Sequence, residues 1–364
     1  MSSTDKRYMA LALGLAGRGL GKTWPNPAVG CVIVKRGRVV GRGWTQPGGR
    51  PHAEPLALEQ AGPRAAGATA YVTLEPCAHH GQTPPCAQAL IGAGVARVVS
   101  ALEDSDPRVA GQGHAMLRAA GISVTTPLMA GKAFELNRGF FLRVTERRPL
   151  LMLKLASSFD GRIATATGES QWITGPAARR VVHGLRARHD AVMVGAGTVR
   201  ADDPLLNVRG LGVEHQPVRV VVSRHLDLPL TGQLAASATN APLWLCHGED
   251  ADPALIAAWQ GIGARTLACS ASARRQLDPA SVLRALASEG LTRVFCEGGG
   301  ALAASFLSAG LVDELVGFTA GMAIGAEGRP SIGAMGVERL SDVARFKLAE
   351  VRVIGPDVLH RWIR

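Results

Sequence analysis

The sequence predicts an α/β protein built as two domains. Three observations carry this. The chain has 364 residues, enough for two domains of ordinary size. β-rich runs and helix-patterned runs alternate along its whole length. A short polar break, Thr145-Glu146-Arg147-Arg148-Pro149, divides the alternation. The domains are accordingly expected at residues 1–146 and 147–364.

In the first part, residues 5–17 have helical apolar spacing, with Tyr8, Leu11, Ala12 and Leu15 on one side. Trp24-Pro25-Asn26-Pro27 ends that pattern. Residues 28–34 and 38–40 are β-rich runs joined around Lys35-Arg36-Gly37, a hairpin signal. Pro51 precedes a helix over 52–61 that Gly62-Pro63 ends. A strand over 69–74 runs into Glu75-Pro76-Cys77, and a helix over 86–93 is closed by Gly94. Then come a strand over 95–102, a helix over 113–120 and a strand over 122–125. The order α-β-β-α-β-α-β-α-β describes one sheet flanked by helices, an α/β sandwich.

The second part alternates again. A strand spans 150–156. Gly175-Pro176 opens a helix through 188, with Val181, Val182 and Leu185 as its apolar stripe. A strand over 191–194 ends in Gly195-Ala196-Gly197-Thr198. Strands over 218–222 and 243–246 follow, the first expected near the centre of the second sheet. A helix over 281–288 precedes a buried strand over 293–296, which enters Glu297-Gly298-Gly299-Gly300 and a helix over 301–309. Strands over 315–318 and 348–354 finish the sheet.

The formal charge is +11 with Lys and Arg scattered, which favours small anionic substrates over nucleic acid. No run of 18 apolar residues occurs, and the N-terminus reads as a first helix, not as a signal peptide. Of the six cysteines, Cys31, Cys246, Cys269 and Cys296 lie in or beside apolar segments as small hydrophobes. Six are too few for a disulfide framework in so long a chain, and the expected compartment is cytoplasmic.

Cys77 and Cys86 join His52 in a different role. One histidine and two cysteines hold a zinc ion and leave its fourth position open for a water that is acidic near neutral pH. Glu54, two residues after His52, lies near the metal and is free to move protons. Both ligand segments open expected helices, whose N-terminal dipoles favour thiolates. Zinc deaminases of nucleobases use this set, usually with Pro-Cys-x-x-Cys; here eight residues separate Cys77 from Cys86. A tRNA or nucleoside deaminase predicts the shorter spacing and leaves the second domain unexplained. A non-catalytic module has no use for Glu54. His79 and His80 are adjacent donors, but three protein ligands suffice.

Longer motifs go further. They are Asn26-Pro27-x-Val29-Gly30-Cys31-Val32, Pro51-His52-Ala53-Glu54, Tyr71-Val72-Thr73-Leu74-Glu75-Pro76-Cys77 and His80-Gly81-x-Thr83-Pro84-Pro85-Cys86. The second part adds Lys154-Leu155, Asp160-Gly161-Arg162, Gly168-Glu169-Ser170-Gln171-Trp172-Ile173-Thr174, Ala201-Asp202-Asp203-Pro204, Glu297-Gly298-Gly299 and Gly310-Leu311-Val312-Asp313-Glu314. Together they resemble the bifunctional deaminase/reductases of riboflavin biosynthesis over nearly the whole chain. The resemblance implies a cytidine-deaminase-like first domain with one zinc ion and a dihydrofolate-reductase-like second domain using NADPH. It implies as substrate a diaminopyrimidinone carrying a ribosylamino 5′-phosphate. The first domain would release one exocyclic amine as ammonia, and the second would reduce ribosyl to ribityl. A homo-oligomer (dimer or tetramer) is expected, with neither nucleic acid nor membrane as partner.

The resemblance also implies residue roles. Asn26 and Asp104 would contact the deaminase substrate. Ala156, Trp172, Thr198, Asp202 and the turn Gly299, Gly300, Ala301, Leu302, Ala303, Ala304, Ser305 would contact NADPH. Ser170, Arg186, Leu206, Arg209 and Glu297 would contact the reductase substrate. A glycine-rich turn entering a helix leaves N–H groups free for phosphate oxygens. Lys154, on a buried-looking strand, is a further polarising group at the substrate and needs an acidic partner, Glu297 or Asp202. Three positions depart from the family pattern: Thr45 replaces a histidine, Gln82 a basic residue, and Ser223-Arg224 an Asp-Ser pair. Because ligands bind beyond the carboxyl ends of strands in open α/β sheets, Arg224 helped by Ser223 is expected to read the 2′-phosphate of NADPH.

Overall fold

The computed structural model describes residues 2–79, 84–106, 110–272 and 276–364. The chain divides into two compact units, residues 1–147 and 148–364.

The first unit runs α1 (Ser3–Ala16), β1 (Gly30–Lys35), β2 (Arg38–Trp44), α2 (Ala53–Ala61), β3 (Thr69–Val72), α3 (Cys86–Gly92), β4 (Arg97–Ser100), α4 (Gln112–Ala119), β5 (Ser123–Thr125) and α5 (Ala130–Glu146). Its sheet has the order β2-β1-β3-β4-β5, antiparallel from β2 to β3 and parallel from β3 to β5. Arg36 and Gly37 both have positive φ, the conformation of a two-residue hairpin turn that matches strand twist. Alternate residues of β1 serve two cores. Cys31 and Ile33 pack with Ala53, Ala57 and Leu90, while Val32 and Val34 pack with Tyr8, Met9 and Ala12 of α1.

Two features differ from expectation. The buried face of α1 is Tyr8, Met9, Ala12, Leu13 and Ala16, while Leu11 is 48% exposed. The stripe is rotated because α1 lies against Gly30, where a side chain would overlap the Ala12 carbonyl oxygen. Helix α5 was not expected at all. Its period is interrupted by Asn137, which is buried because it accepts the Ala28 N–H at 2.9 Å and donates to the Ala28 carbonyl at 3.0 Å. Helix α2 presses on β2 at two glycines. A Cβ on Gly43 would overlap the Ala53 carbonyl oxygen, and one on Gly41 that of Ala57.

The second unit runs β6 (Leu150–Ser158), β7 (Arg162–Ala164), α6 (Pro176–Arg186), β8 (Ala191–Gly195), α7 (Ala196–Asp202), β9 (Val218–Val222), α8 (Gln233–Ala236), β10 (Leu243–Gly248) and α9 (Pro253–Gly261). It continues with β11 (Arg265–Cys269), α10 (Pro279–Ser288), β12 (Arg293–Cys296), α11 (Gly300–Ser308), β13 (Glu314–Ala320), β14 (Arg329–Pro330), β15 (Lys347–Ile354) and β16 (Asp357–Ile363). The main sheet has the order β11-β10-β9-β8-β12-β6-β13-β16-β15, parallel from β11 to β13 and antiparallel beyond. Its middle is β12, all four of whose residues are buried. Strand β9, expected near the centre, is third from the β11 edge. Strand β15 is the opposite edge, with Val351 and Val353 59% and 76% exposed. Among the described residues no helix is long and apolar enough to cross a membrane.

Candidate active sites

In the first unit, Pro51 leads into His52, the extended N-cap of α2, and Glu54 falls in the first turn. Cys77 follows β3, and Cys86 is the first residue of α3 after Pro85. The Nδ1 of His52 lies 3.3 Å from Cys86 Sγ and 3.8 Å from Cys77 Sγ. All three donor atoms fall within 4.8 Å of one another. Nitrogen and sulfur ligands on one tetrahedral zinc stand roughly 3.6 Å apart, given bonds of about 2.1 and 2.3 Å. The donor set therefore fits zinc in kind and in spacing. The Cys86 thiol donates to the Cys77 sulfur and draws its pKa down to about 4, against the effect of burial. The same bond, with burial, raises Cys86. A proton shared between two sulfurs is what a bound cation displaces. Glu54 is 3% exposed, and burial together with the Cys77 charge raises it to about 7.

A cavity of about 530 Å³ opens over these groups. Asn26, Thr45, His52, Glu54, Cys77 and Asp104 all line it. Asn26 is held by donating to the Gly49 carbonyl at 2.9 Å. Thr45 fills its place by accepting the Val29 N–H at 3.0 Å. Asp104 accepts the Asp106 N–H at 2.9 Å, and burial raises its pKa. His79 lines the cavity, whereas His80 and Gln82 lie outside the described residues. One positioning residue was not foreseen. The buried Glu75 carboxylate accepts N–H bonds from Asp104 at 3.1 Å, Gly111 at 2.9 Å and His114 at 3.1 Å. It thus ties the segment carrying Asp104 to the end of β3. The only hint in the sequence was an acidic residue between a buried strand and Pro76-Cys77.

In the second unit a cavity of about 830 Å³ gathers Lys154, Ala156, Ser170, Trp172, Thr198, Asp202, Arg186, Leu206, Arg209 and Glu297. At its floor Glu297, at the end of β12, sits 2.5 Å from Arg186 Nε and 3.5 Å from Lys154 Nζ. Glu297, not Asp202, is therefore the close partner of Lys154. Burial works to raise Glu297, but the Arg186 and Lys154 charges prevail and hold it at about 2. Arg186 also donates to the Asn207 carbonyl at 2.8 Å. Asp202 closes α7, and burial raises it while Lys154 opposes. Trp172 is 61% exposed, with the Arg179 guanidinium 4.3 Å from its ring centroid, a neighbour not anticipated.

Gly299 caps α11, and a side chain on Gly300 would collide with the Pro330 carbonyl. The segment 330–333 therefore covers Gly300, whereas the nearest atom to a Cβ added at Gly299 is Thr198 Oγ1 at 3.7 Å, and Thr198 lines the cavity. That suits a phosphate, and with the adjoining cavity it fits a dinucleotide such as NADPH. Of the following residues, Leu302 would meet any Cβ on Gly298, while Ala303 and Ala304 bury their side chains in the core. Gly300, Ala301 and Leu302 form the first turn of the helix. Ala303, Ala304 and Ser305 belong to the body of the helix.

Ser223 and Arg224, expected at the 2′-phosphate of NADPH, have protein partners of their own. Neither lines the cavity. Ser223 donates to Asp227 at 3.2 Å, and Arg224 pairs with Asp250 at 2.5 Å. Strand β9 lies beside β8, which carries Gly195 at its end, and is separated from β12 by it.

Comparison with known proteins agrees with both sites. Residues 2–102 match the cytidine and deoxycytidylate deaminase zinc-binding region, and residues 149–360 match the RibD C-terminal domain. The riboflavin biosynthesis protein RibD of Escherichia coli is 43% identical over 370 residues, covering 98% of each chain. That of Aquifex aeolicus is 40% identical over 355 residues, covering 98% of this chain and 97% of its own. The solved structure of Acinetobacter baumannii RibD superposes with a TM-score of 0.88 at 41% identity, over 99% of this chain and 98% of the other. A Thermotoga maritima diaminohydroxyphosphoribosylaminopyrimidine deaminase/5-amino-6-(5-phosphoribosylamino)uracil reductase gives 0.85 at 34% identity, over 99% and 98%. A zinc-ligand set beneath one cavity, a phosphate-ready turn beside another and full-length similarity at this level have a common origin: the chain belongs to the RibD family of bifunctional deaminase/reductases of riboflavin biosynthesis.

Proposed function

We propose that residues 1–146 deaminate 2,5-diamino-6-ribosylamino-4(3H)-pyrimidinone 5′-phosphate and that residues 147–364 reduce the product's ribosyl group to ribityl with NADPH. The observation that carries the first half is the trio His52, Cys77 and Cys86 with a buried carboxylate, Glu54, at the same cavity. Zinc bound there supplies a Lewis acid that makes water acidic near neutral pH. Glu54 takes the water's proton and returns protons to the ring nitrogen and the departing amine. Its burial at the cavity, 3% exposed, keeps bulk water from competing in that exchange. Asn26 orients the pyrimidine, and Asp104, fixed through Glu75, meets the ribose.

In the second half NADPH supplies the hydride. Thr198, the Gly299–Gly300 turn, Ala156, Trp172 and Asp202 hold it. Lys154, tied with Arg186 to Glu297, keeps a fixed cationic floor under the substrate, and Arg186 and Arg209 bind its phosphate, with Ser170 and Leu206 beside them. The protein works in the cytoplasm, a reading supported by six free cysteines. It works as a homo-oligomer, dimer or tetramer, a reading supported by the apolar residues exposed on edge strand β15. The test is ammonia release from this substrate beside cytidine and tRNA, followed by NADPH oxidation on the deaminated product. Release from cytidine or tRNA instead would overturn the assignment.

A further inference from the structure

The proposed substrate keeps its 5′-phosphate through both reactions, so the deaminase cavity must accommodate a dianion as well as a pyrimidine. Much of the polar lining there is hostile to one. Glu54 comes from the first turn of α2, Glu75 from the end of β3, and Asp104 and Asp106 from the segment after β4. Against these, the cationic side chains among the described lining residues are Arg50 and Arg143, beside the imidazoles of His52 and His79. We propose that Arg50 and Arg143 clamp the substrate's 5′-phosphate in the deaminase cavity and thereby point its exocyclic amine at Glu54 and the His52, Cys77, Cys86 group. This rests on the substrate reading above and deepens it.

The two arginines come from different elements, and each is placed by its backbone. Arg143 lies on α5 with Phe140 and Val144, which also line the cavity. Positions three and four apart share one helix face, so Arg143 stands at the polar end of an apolar wall. Arg50 directly precedes Pro51-His52, in a segment pinned by the Gln46 N–H to Pro51 carbonyl bond of 3.1 Å. The segment that sets the first metal ligand thus also sets this guanidinium. Neither arginine shares an element with Asp104 or Asp106. The fork of a guanidinium matches phosphate oxygens in pairs, and two forks from separate elements fix orientation as well as charge. A pyrimidine nucleoside without phosphate would lack that anchor.

The plainer alternative is that these arginines only balance the lining carboxylates, and the test separates the two. Ammonia release is measured with the phosphorylated substrate and with the same compound after phosphatase treatment. Wild type, Arg50→Gln, Arg143→Gln and the matching lysine variants are compared, with zinc content and far-UV spectra checking that each is folded. Each glutamine variant is expected to raise KM for the phosphorylated substrate by roughly tenfold, the loss of one charge-assisted contact, while KM for the dephosphorylated compound stays within about twofold. Lysine should recover part of the difference. Equal KM for both compounds in wild type, or equal weakening of both in the variants, overturns the clamp and leaves the deaminase assignment standing. No ammonia from either compound overturns both.

Discussion

Glu297→Gln offers the sharpest check on the reductase cavity. The carboxylate is 8% exposed and touches two cations, Arg186 at 2.5 Å and Lys154 at 3.5 Å. Burial pushes its pKa up, and the two charges overcome that and bring it from 4.5 to about 2. A drop of that size is worth roughly 3 kcal/mol of folding stability at neutral pH, on the order of the 3–5 kcal/mol lost when one member of a buried ion pair is removed. The sign follows from linkage. A carboxyl with a lowered folded pKa contributes fully above its unfolded value of about 4.5, and the contribution disappears as pH falls from there through about 2. The glutamine variant should therefore be less stable by about 3 kcal/mol at pH 7, with the gap closing below pH 4. Urea unfolding followed by tryptophan fluorescence reads this, since Trp172, Trp244, Trp259 and Trp362 lie in the second unit. Equal stability at pH 7, or a gap that widens on acidification, would refute the account of Glu297 as the anion between two cations.

Metal analysis of protein purified without added zinc should find one zinc per chain, and Cys86→Ala should lose it; full deaminase activity without metal contradicts the ligand assignment. Glu54→Gln should lower ammonia release by at least about 10²-fold, the usual worth of a positioned acid/base, yet leave NADPH oxidation on the deaminated intermediate intact. Loss of both activities in a folded protein would mean that the halves are not independent. Arg224→Ala should leave the NADPH/NADH ratio of kcat/KM unchanged, because Asp250 already holds the guanidinium outside the cavity lining. A tenfold fall in that ratio would restore Arg224 as the reader of the 2′-phosphate.

What could be read from the sequence was what is written locally. His52, Cys77 and Cys86 stand beside Pro51, Pro76 and Pro85, so breakers and ligands fall together and mark the starts of α2 and α3. The alternation of β3 through β5 was legible for the same reason. Features settled by distant partners were not. Asp250 meets Arg224 from 26 residues away, and nothing near Arg224 announces it. Asn137 belongs to a helix because Ala28, 109 residues earlier, needs both its hydrogen bonds. An apolar run also reads the same wherever it stands in a sheet, which is why β9, expected near the centre, is found third from an edge. Glu75 resembles a spare acid until three backbone N–H groups are seen converging on it.

The smooth surface of β2 has a consequence for how freely this enzyme can vary. Gly41 and Gly43 do not line the cavity, yet they set how near α2 can come. His52 and Glu54 ride on that helix, whereas Cys77 and Cys86 are mounted on the segments after β3 and at α3. A methyl group on either glycine would shift one half of the coordination sphere against the other. Zinc tolerates ligand errors of only about 0.2 Å, so metal loss is the failure to expect before unfolding. The hairpin thus acts as the gauge block of the metal centre, and sequence drift or redesign is constrained at two positions that bind nothing.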